Sequence, residues 1–93
     1  MNDNDLTSIP IETGNLTNLQ YLDVSRNYLS TLPCELGKLS NLLVLNVAYC
    51  GKTIKIPESM SNCKGMQYLY VDQWTELPNW IYSNRGLQVI IKQ

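Results

Sequence analysis

Aliphatic and polar residues alternate in several short segments along the chain. Leu22 and Val24 alternate with the more polar Tyr21, Asp23 and Ser25. A period of two is typical of a β-strand, so the pattern predicts a short strand whose aliphatic side chains point inward. The same alternation recurs twice, and its aliphatic positions there are Leu45, Val47, Leu69 and Val71.

The prolines show that these segments belong to an internal repeat. Each proline follows an aliphatic residue, and successive prolines lie 23, 24 and 21 residues apart. A second set of anchors has the same spacings and consists of Leu19, Leu42, Met66 and Leu87. Two markers with one shared period indicate a repeat architecture. Because one such unit cannot close a core alone, neighbouring units must stack, and their strands then form a parallel sheet.

The clearest unit covers residues 19–29 and reads L-x-x-L-x-L-x-x-N-x-L, with Val24 in the third aliphatic slot. Residues 32–39 continue it as L-P-x-x-L-G-x-L. This sequence strongly resembles the leucine-rich repeat family in its form of about 23 residues. The resemblance covers nearly the whole chain. It implies an α/β solenoid of about four units, with short parallel strands on the concave face and short helical or 3₁₀ turns on the convex face. The predicted domain is 1–93, with partial units 1–18 and 87–93 and full units 19–41, 42–65 and 66–86.

Asn27 follows the strand of the clearest unit, where an Asn tolerates a tight turn and bonds backbone groups with its amide. The resemblance implies a column of such residues, with Cys as the usual substitute, so Asn4, Asn27 and Cys50 are the predicted turn positions. Trp74 occupies this slot in the next unit. Only three residues separate it from Pro78, against five at the corresponding place in the clearest unit. We therefore expect a deletion in this loop and a Trp74 that packs in the core or on its flank.

The residues after each proline predict a short helix or 3₁₀ segment. The fixed φ of Pro33 suits the first position of a helical turn, and Leu36 and Leu39 follow on one inward face. Cys63 falls in the Leu39 column, so we expect it to be buried and inert. Cys34 lies beside the proline on the outer side and is expected to be an exposed thiol without a redox role.

Composition argues against catalysis and against nucleic-acid binding. The 93 residues include no His and carry a net charge of −1. A nucleic-acid binder needs a strongly basic face, and His is the usual general base and the commonest metal ligand. Gly51-Lys52-Thr53 resembles the end of a phosphate-binding loop but lacks its upstream Gly. We therefore predict no enzyme activity, no cofactor and no metal site.

The cysteines and the apolar runs favour a cytoplasmic protein. The chain has three cysteines, an odd number without CxxC spacing. No apolar run approaches the roughly 18 residues of a membrane span, and residues 1–10 do not read as a signal peptide. We expect reduced thiols, a cytoplasmic location and no membrane partner.

The outward face of the predicted sheet is the candidate site. Stacking the units puts Tyr21, Val44, Tyr68 and Val89 in one column and Asp23, Asn46, Tyr70 and Ile91 in the next. Tyrosine provides contact area with a polar tip, and a contiguous apolar patch indicates a partner. Cross-strand pairing alone could also select Tyr and Val. The predicted partner-binding residues are Tyr21, Asp23, Arg26, Val44, Asn46, Tyr49, Tyr68, Tyr70 and Asp72.

The resemblance implies a non-enzymatic module that binds a protein partner of unknown identity. The L-P-x-x-L-G-x-L form is similar to that of intracellular Ras-signalling scaffolds, whereas Cys50 and the irregular spacings are similar to plant immune-receptor repeats. Bacterial and viral effector repeats are also similar. A second class stays open, namely a structural fragment of a larger receptor or effector, or a solenoid that self-associates through uncapped ends. Its C-terminal segment, rich in Val and Ile, predicts an apolar edge strand that invites pairing.

Overall fold

Within the residues that the structure describes, four parallel strands and four short 3₁₀ helices alternate along the chain. The computed structural model describes residues 7–29, 31–50, 54–83 and 86–92. The helices are η1 (Ile11–Asn15), η2 (Cys34–Lys38), η3 (Glu58–Asn62) and η4 (Asn79–Ser83). The strands are β1 (Tyr21–Asp23), β2 (Val44–Asn46), β3 (Tyr68–Asp72) and β4 (Gln88–Lys92), and they form one sheet in chain order. This is the predicted solenoid, with one strand and one helical turn in each unit.

The first three strands pair in the register that the repeat predicts. Tyr21 pairs with Val44, which pairs with Tyr68. Asp23, Asn46 and Tyr70 form the second column in the same way. Side chains in each column therefore lie on one face of the sheet, two residues apart along each strand.

The predicted register of the last strand is wrong by one residue. Gln88 pairs with Tyr68 and Ile90 with Tyr70, so neither Val89 nor Ile91 lies in the column predicted for it. Val89 instead pairs with Leu69 and packs against the core. The segment is apolar at consecutive positions, so its own pattern does not define which residues face inward. A slip of one residue exchanges the two faces.

The core lies between the strands and the helices and is built from the repeated aliphatic positions. Val24, Leu45, Val47, Leu69 and Val71 are at most 1% exposed. The helical side adds Leu36, Leu39, Met60, Cys63 and Ile81, all buried. This confirms the inward face predicted for the segments after the prolines, including the buried Cys63. A buried aliphatic side chain stabilises a fold by about 1.5–3 kcal/mol, so the stacked columns provide the main driving force.

The prolines precede the helices instead of starting them. Pro33 has φ −71° and ψ 143°, which is extended backbone, and η2 begins at the next residue. Pro57 has the same conformation before η3. The prediction that proline takes the first helical position is therefore wrong by one residue. The ring fixes φ only, and ψ remains extended in both cases.

Small residues allow neighbouring helices to approach closely. A Cβ built on Gly37 would lie 2.6 Å from the carbonyl oxygen of Ser59, and one on Gly14 would meet the carbonyl oxygen of Glu35. Ser59 Oγ also donates a 2.6 Å hydrogen bond to the carbonyl oxygen of Cys34. Close backbone contact of this kind requires the missing side chain of glycine. None of the helices in the described ranges has the length and hydrophobicity to span a bilayer.

Candidate functional site

The predicted turn column joins the first two units. Asn27 is 3% exposed, and its Nδ2 donates hydrogen bonds to the carbonyl oxygens of Val24 (2.9 Å) and Ser25 (3.3 Å). The Cys50 thiol donates to the same Val24 oxygen from the next unit, at 2.9 Å. Asn27 and Cys50 therefore satisfy buried backbone groups in the turns. Asn4 lies outside the described residues.

The thiols have two different environments. Burial, with a smaller effect of the Asp72 and Asp23 carboxylates, raises the pKa of the Cys50 thiol from 9.0 to about 12. Burial also raises the pKa of Cys63. Both thiols are therefore protonated at neutral pH and poorly nucleophilic. Cys34 is exposed, as predicted, and all three cysteines are free.

A side-chain cap ends each of the first two strands. Asp23, the last residue of β1, accepts hydrogen bonds at Oδ1 from the backbone N–H (3.0 Å) and the hydroxyl (2.6 Å) of Ser25. Asn46, the last residue of β2, accepts one at Oδ1 from the N–H of Ala48 (3.1 Å). Asp and Asn form such turns because their side chains reach the N–H two residues later. This role was not predicted from the sequence, although an Asp and an Asn at equivalent positions before a turn are a signal for it.

Left-handed backbone follows both caps. Arg26 and Tyr49 occupy equivalent places after β1 and β2, and each has φ 59°. A non-glycine residue rarely adopts this conformation. The N–H of Arg26 donates to the carbonyl oxygen of Ala48 at 3.1 Å. The two turns therefore fix the backbone positions of Arg26 and Tyr49.

The turn after β3 is built differently. Tyr70 takes the column of Asp23 and Asn46, so no cap forms there and the strand continues to Asp72. Asp72 Oδ1 accepts hydrogen bonds from the N–H of Trp74 (2.8 Å) and the hydroxyl of Thr75 (3.2 Å). The cap is thus moved two residues along the chain.

Asp72 also connects this turn to the preceding one. Its Oδ2 accepts a 2.7 Å hydrogen bond from the N–H of Tyr49, where the equivalent N–H of Arg26 uses a backbone carbonyl. The carbonyl of Asp72 accepts instead from the N–H of Thr75. Asp72, which was predicted to contact a partner, is only 6% exposed and is buried within the turn.

Trp74 does not pack in the core. Its side chain is 57% exposed, so the expectation of a core position is wrong. That expectation came from counting back from Pro78, which put Trp74 in the column of Leu29. Trp74 follows the end of β3 by two residues, whereas Asn27 follows the end of β1 by four.

Three tyrosines lie on the outward face of the sheet, and Tyr49 follows in the turn after β2. Tyr21 is 56% exposed, Tyr49 42% and Tyr68 36%. The rings of Tyr68 and Tyr70 stack with centroids 6.5 Å apart and planes 23° apart. Lys92 Nζ lies 5.3 Å from the centroid of the Tyr70 ring, within cation–π distance. We refer to Tyr21, Tyr49, Tyr68 and Tyr70 as the tyrosine face.

A polar depression adjoins the tyrosine face at the ends of β1 and β2. Its lining includes Asp23, Ser25, Arg26, Asn46, Tyr49 and Lys92. The structure therefore brings most of the predicted polar contact residues together. It also adds Lys92, which was not among the predicted contact residues because the predicted register of β4 was wrong by one residue. In the observed register, Lys92 of β4 lies opposite Asp72 of β3.

The described residues were also compared for groups of side chains suited to hold a metal ion. Within 7–29, 31–50, 54–83 and 86–92, no three His, Cys, Asp or Glu residues cluster so as to hold a metal ion. The Gly51-Lys52-Thr53 segment lies outside the described residues.

Comparison with known proteins connects this architecture to a family. A family model described as a leucine-rich repeat region matches residues 3–92. Among solved structures, a leucine-rich repeat protein of Leptospira interrogans superposes with a TM-score of 0.76 and 29% sequence identity over 97% of this chain. The chain spans 23% of the length of that protein. No match was found among curated proteins.

Proposed function

Because the chain belongs to the leucine-rich repeat family, we propose that it is a non-enzymatic interaction module that binds a protein partner on its tyrosine face. The observation that carries the proposal is the exposure of Tyr21 and Tyr68 on a sheet whose opposite face is the buried core, with the exposed Tyr49 in the turn after β2. Tyr is enriched in binding sites because its large ring buries area at low cost in side-chain entropy.

Strand propensity does not explain the whole tyrosine face. Tyr49 follows β2 in left-handed backbone, where a β-former has no advantage. Tyr70 occupies the column in which the two preceding strands carry a turn-forming Asp or Asn. Contact with a partner accounts for aromatic residues at both positions. Asp72 belongs to the turn in this proposal, while Val44 and Asn46 contribute to the rim of the contact.

The test uses a displayed library of random 12-residue peptides selected on the immobilised chain. We expect the paired change Tyr68→Ala and Tyr70→Ala to weaken the selected peptides at least about 10-fold, as for the central residues of a binding surface. Tyr82→Ala is the matched control, because Tyr82 is 76% exposed but lies on η4. Circular dichroism verifies that each variant is folded. Equal affinity of the parent chain and the paired variant would refute the assignment of the face.

Self-association is the second candidate. Among the described strands β4 lies at the sheet edge, and Ile91 is 57% exposed. An apolar edge strand is a template for pairing with a second chain. Light scattering then gives a mass above 10.6 kDa that rises with concentration. A monomer at every concentration tested argues against this candidate.

A cytoplasmic setting is also part of the proposal. Three free thiols, two of them buried as protonated hydrogen-bond donors or core groups, fit a reducing compartment. Cell fractionation with the tagged chain tests the location, and recovery in a secreted fraction would contradict it.

A further inference from the structure

We propose that the partner binds the tyrosine face through an uncharged, proline-rich segment in the polyproline II conformation, with two prolines three positions apart. The segment crosses the strands of the sheet, and its two prolines stack on Tyr21 and Tyr68. This inference rests on the proposed function, since it specifies the chemistry and the conformation of a partner that binds that face.

Large and small side chains alternate along the first outward column of the sheet. Tyr21 of β1 pairs with Val44 of β2, which pairs with Tyr68 of β3. Both tyrosines are exposed, whereas the shorter Val44 is half-buried and leaves a gap between them. The column therefore presents two exposed aromatic side chains on alternate strands.

The spacing of these two tyrosines matches the period of a polyproline II helix. Neighbouring strands lie about 4.8 Å apart, so the Cα atoms of Tyr21 and Tyr68, two strands apart, are separated by about 9.6 Å. A polyproline II helix rises about 3.1 Å per residue with three residues per turn, so every third side chain returns to the same edge after about 9.3 Å. An extended strand returns to the same face after about 6.6 Å, which does not match.

The groups on the column also fit a polyproline II backbone. Each tyrosine offers a ring face for a proline ring and a hydroxyl that can donate a hydrogen bond. A polyproline II segment has no internal hydrogen bonds, so its carbonyl oxygens can accept them. An α-helix repeats a face after about 10.5 Å, but its own N–H groups occupy its carbonyl oxygens. The tyrosine hydroxyls therefore favour the proline-rich segment over a helix.

The charge of the column is complementary to an uncharged segment. Its four members are Tyr21, Val44, Tyr68 and Gln88, none of which is ionisable near neutral pH. A charged side chain placed on the column would lose hydration without gaining a partner of opposite charge. Proline has no polar side chain and meets this condition.

Both sides of the contact are ordered before binding. The ring of Tyr68 stacks on that of Tyr70, and Lys92 Nζ lies 5.3 Å from the centroid of the Tyr70 ring. A proline-rich segment already populates the polyproline II conformation when it is free. Little conformational entropy is therefore lost when the two meet, which allows a short segment to bind through few contacts.

The experiment uses three displayed peptide libraries, in which two fixed prolines lie two, three or four positions apart among random residues. Each library is selected on the immobilised parent chain. We expect the library with prolines three positions apart to be enriched over the other two. Moving one proline of its strongest peptide by one position should weaken binding about 10-fold, as expected for the loss of a central contact.

Variants of the chain then locate this peptide on the column. Tyr21→Ala removes one of the two rings and should weaken the peptide about 10-fold, whereas the control Tyr82→Ala on η4 should leave it unchanged. Val44→Tyr adds aromatic area but fills the gap, so it should weaken the peptide by a similar factor. Val44→Thr, which keeps the shape of valine, is the control for that change. Circular dichroism verifies that each variant is folded.

The outcomes separate this proposal from the one on which it rests. Fully random peptides that depend on Tyr68 and Tyr70, together with equal enrichment of the three proline libraries or no binders from them, would overturn the proline-rich segment and leave the tyrosine face standing. Unchanged or tighter binding to Val44→Tyr would also overturn it, because general aromatic contact would then suffice. Binding that is insensitive to both Tyr21→Ala and the paired change Tyr68→Ala and Tyr70→Ala would refute both proposals.

Discussion

The turns after β1 and β2 are capped at a different position from the turn after β3. In the first two, Asp23 and Asn46 cap the strand at its third residue, and left-handed Arg26 and Tyr49 follow. In the third, Tyr70 replaces the cap and the strand runs to five residues before Asp72 closes it. In β1, β2 and β3, the strand therefore ends at the Asp or Asn whose side chain caps the following turn.

The difference also changes how neighbouring units are joined. Between the first two units, the N–H of the left-handed residue meets a backbone carbonyl, which any residue type can supply. Between the second and third units, the N–H of Tyr49 meets the carboxylate of Asp72. The regular turn thus depends little on side chains for this bond, whereas the extended turn depends on one side chain.

The largest effect is expected for Asp72→Ala. The change removes the acceptor for Tyr49 N–H, Trp74 N–H and the Thr75 hydroxyl, so we expect the free energy of unfolding to fall by about 3 kcal/mol. Asp23→Ala removes a cap from a regular turn and should cost about 1 kcal/mol. Urea denaturation of both variants measures the difference. Equal losses would contradict the special role given to Asp72.

On the helical side, equivalent positions of two neighbouring units can be compared in the same way. Gly37→Ala puts a Cβ 2.6 Å from the carbonyl oxygen of Ser59, so the backbone must shift and we expect a loss of about 2 kcal/mol. Ser61 occupies the equivalent place in the next unit and is exposed. Ser61→Ala should change stability by less than about 0.5 kcal/mol. Thermal unfolding of the two variants makes the comparison, and a neutral Gly37→Ala would show that the helices are less tightly packed.

The smallest effect concerns Cys50, which lies between the two kinds of turn. Its pKa is raised from 9.0 to about 12, chiefly by burial, so the folded state favours the protonated thiol. The resulting stability is fully present below pH 9 and is lost as the pH rises toward 12. Relative to Cys50→Ser, we expect the parent to lose about 1 kcal/mol of unfolding free energy between pH 7 and pH 10. Urea denaturation under reducing conditions at both pH values measures this loss. A constant difference between the two proteins would contradict a buried, protonated thiol.

The regular part of the molecule could be predicted from the sequence, and the irregular part could not. The columns of Leu22, Leu45 and Leu69 follow from alternation combined with the repeat period, and they are buried as predicted. Trp74 was placed wrongly because counting back from Pro78 took no account of the length of β3. That length depends on whether the cap is at residue 70 or at residue 72.

Part of the candidate site was also predictable. Tyr21, Tyr68 and Tyr70 lie together on one face because they share a register that the repeat defines. Lys92 could not be assigned to the polar depression. Its place depends on the pairing of β4, and three consecutive apolar residues in that strand fit either face equally well.

The sequence by itself determined the repeat, the inward columns and the solenoid, because a period of two within a period of about 23 leaves few ways to bury the aliphatic side chains. Only the tertiary structure decided the register of β4, the length of β3 and the position of Asp72. These features depend on hydrogen bonds between units, such as the bond from Tyr49 N–H to Asp72, whose partners lie 23 residues apart. Local pattern does not encode such a bond, since it forms only when the stacked units bring the two groups together.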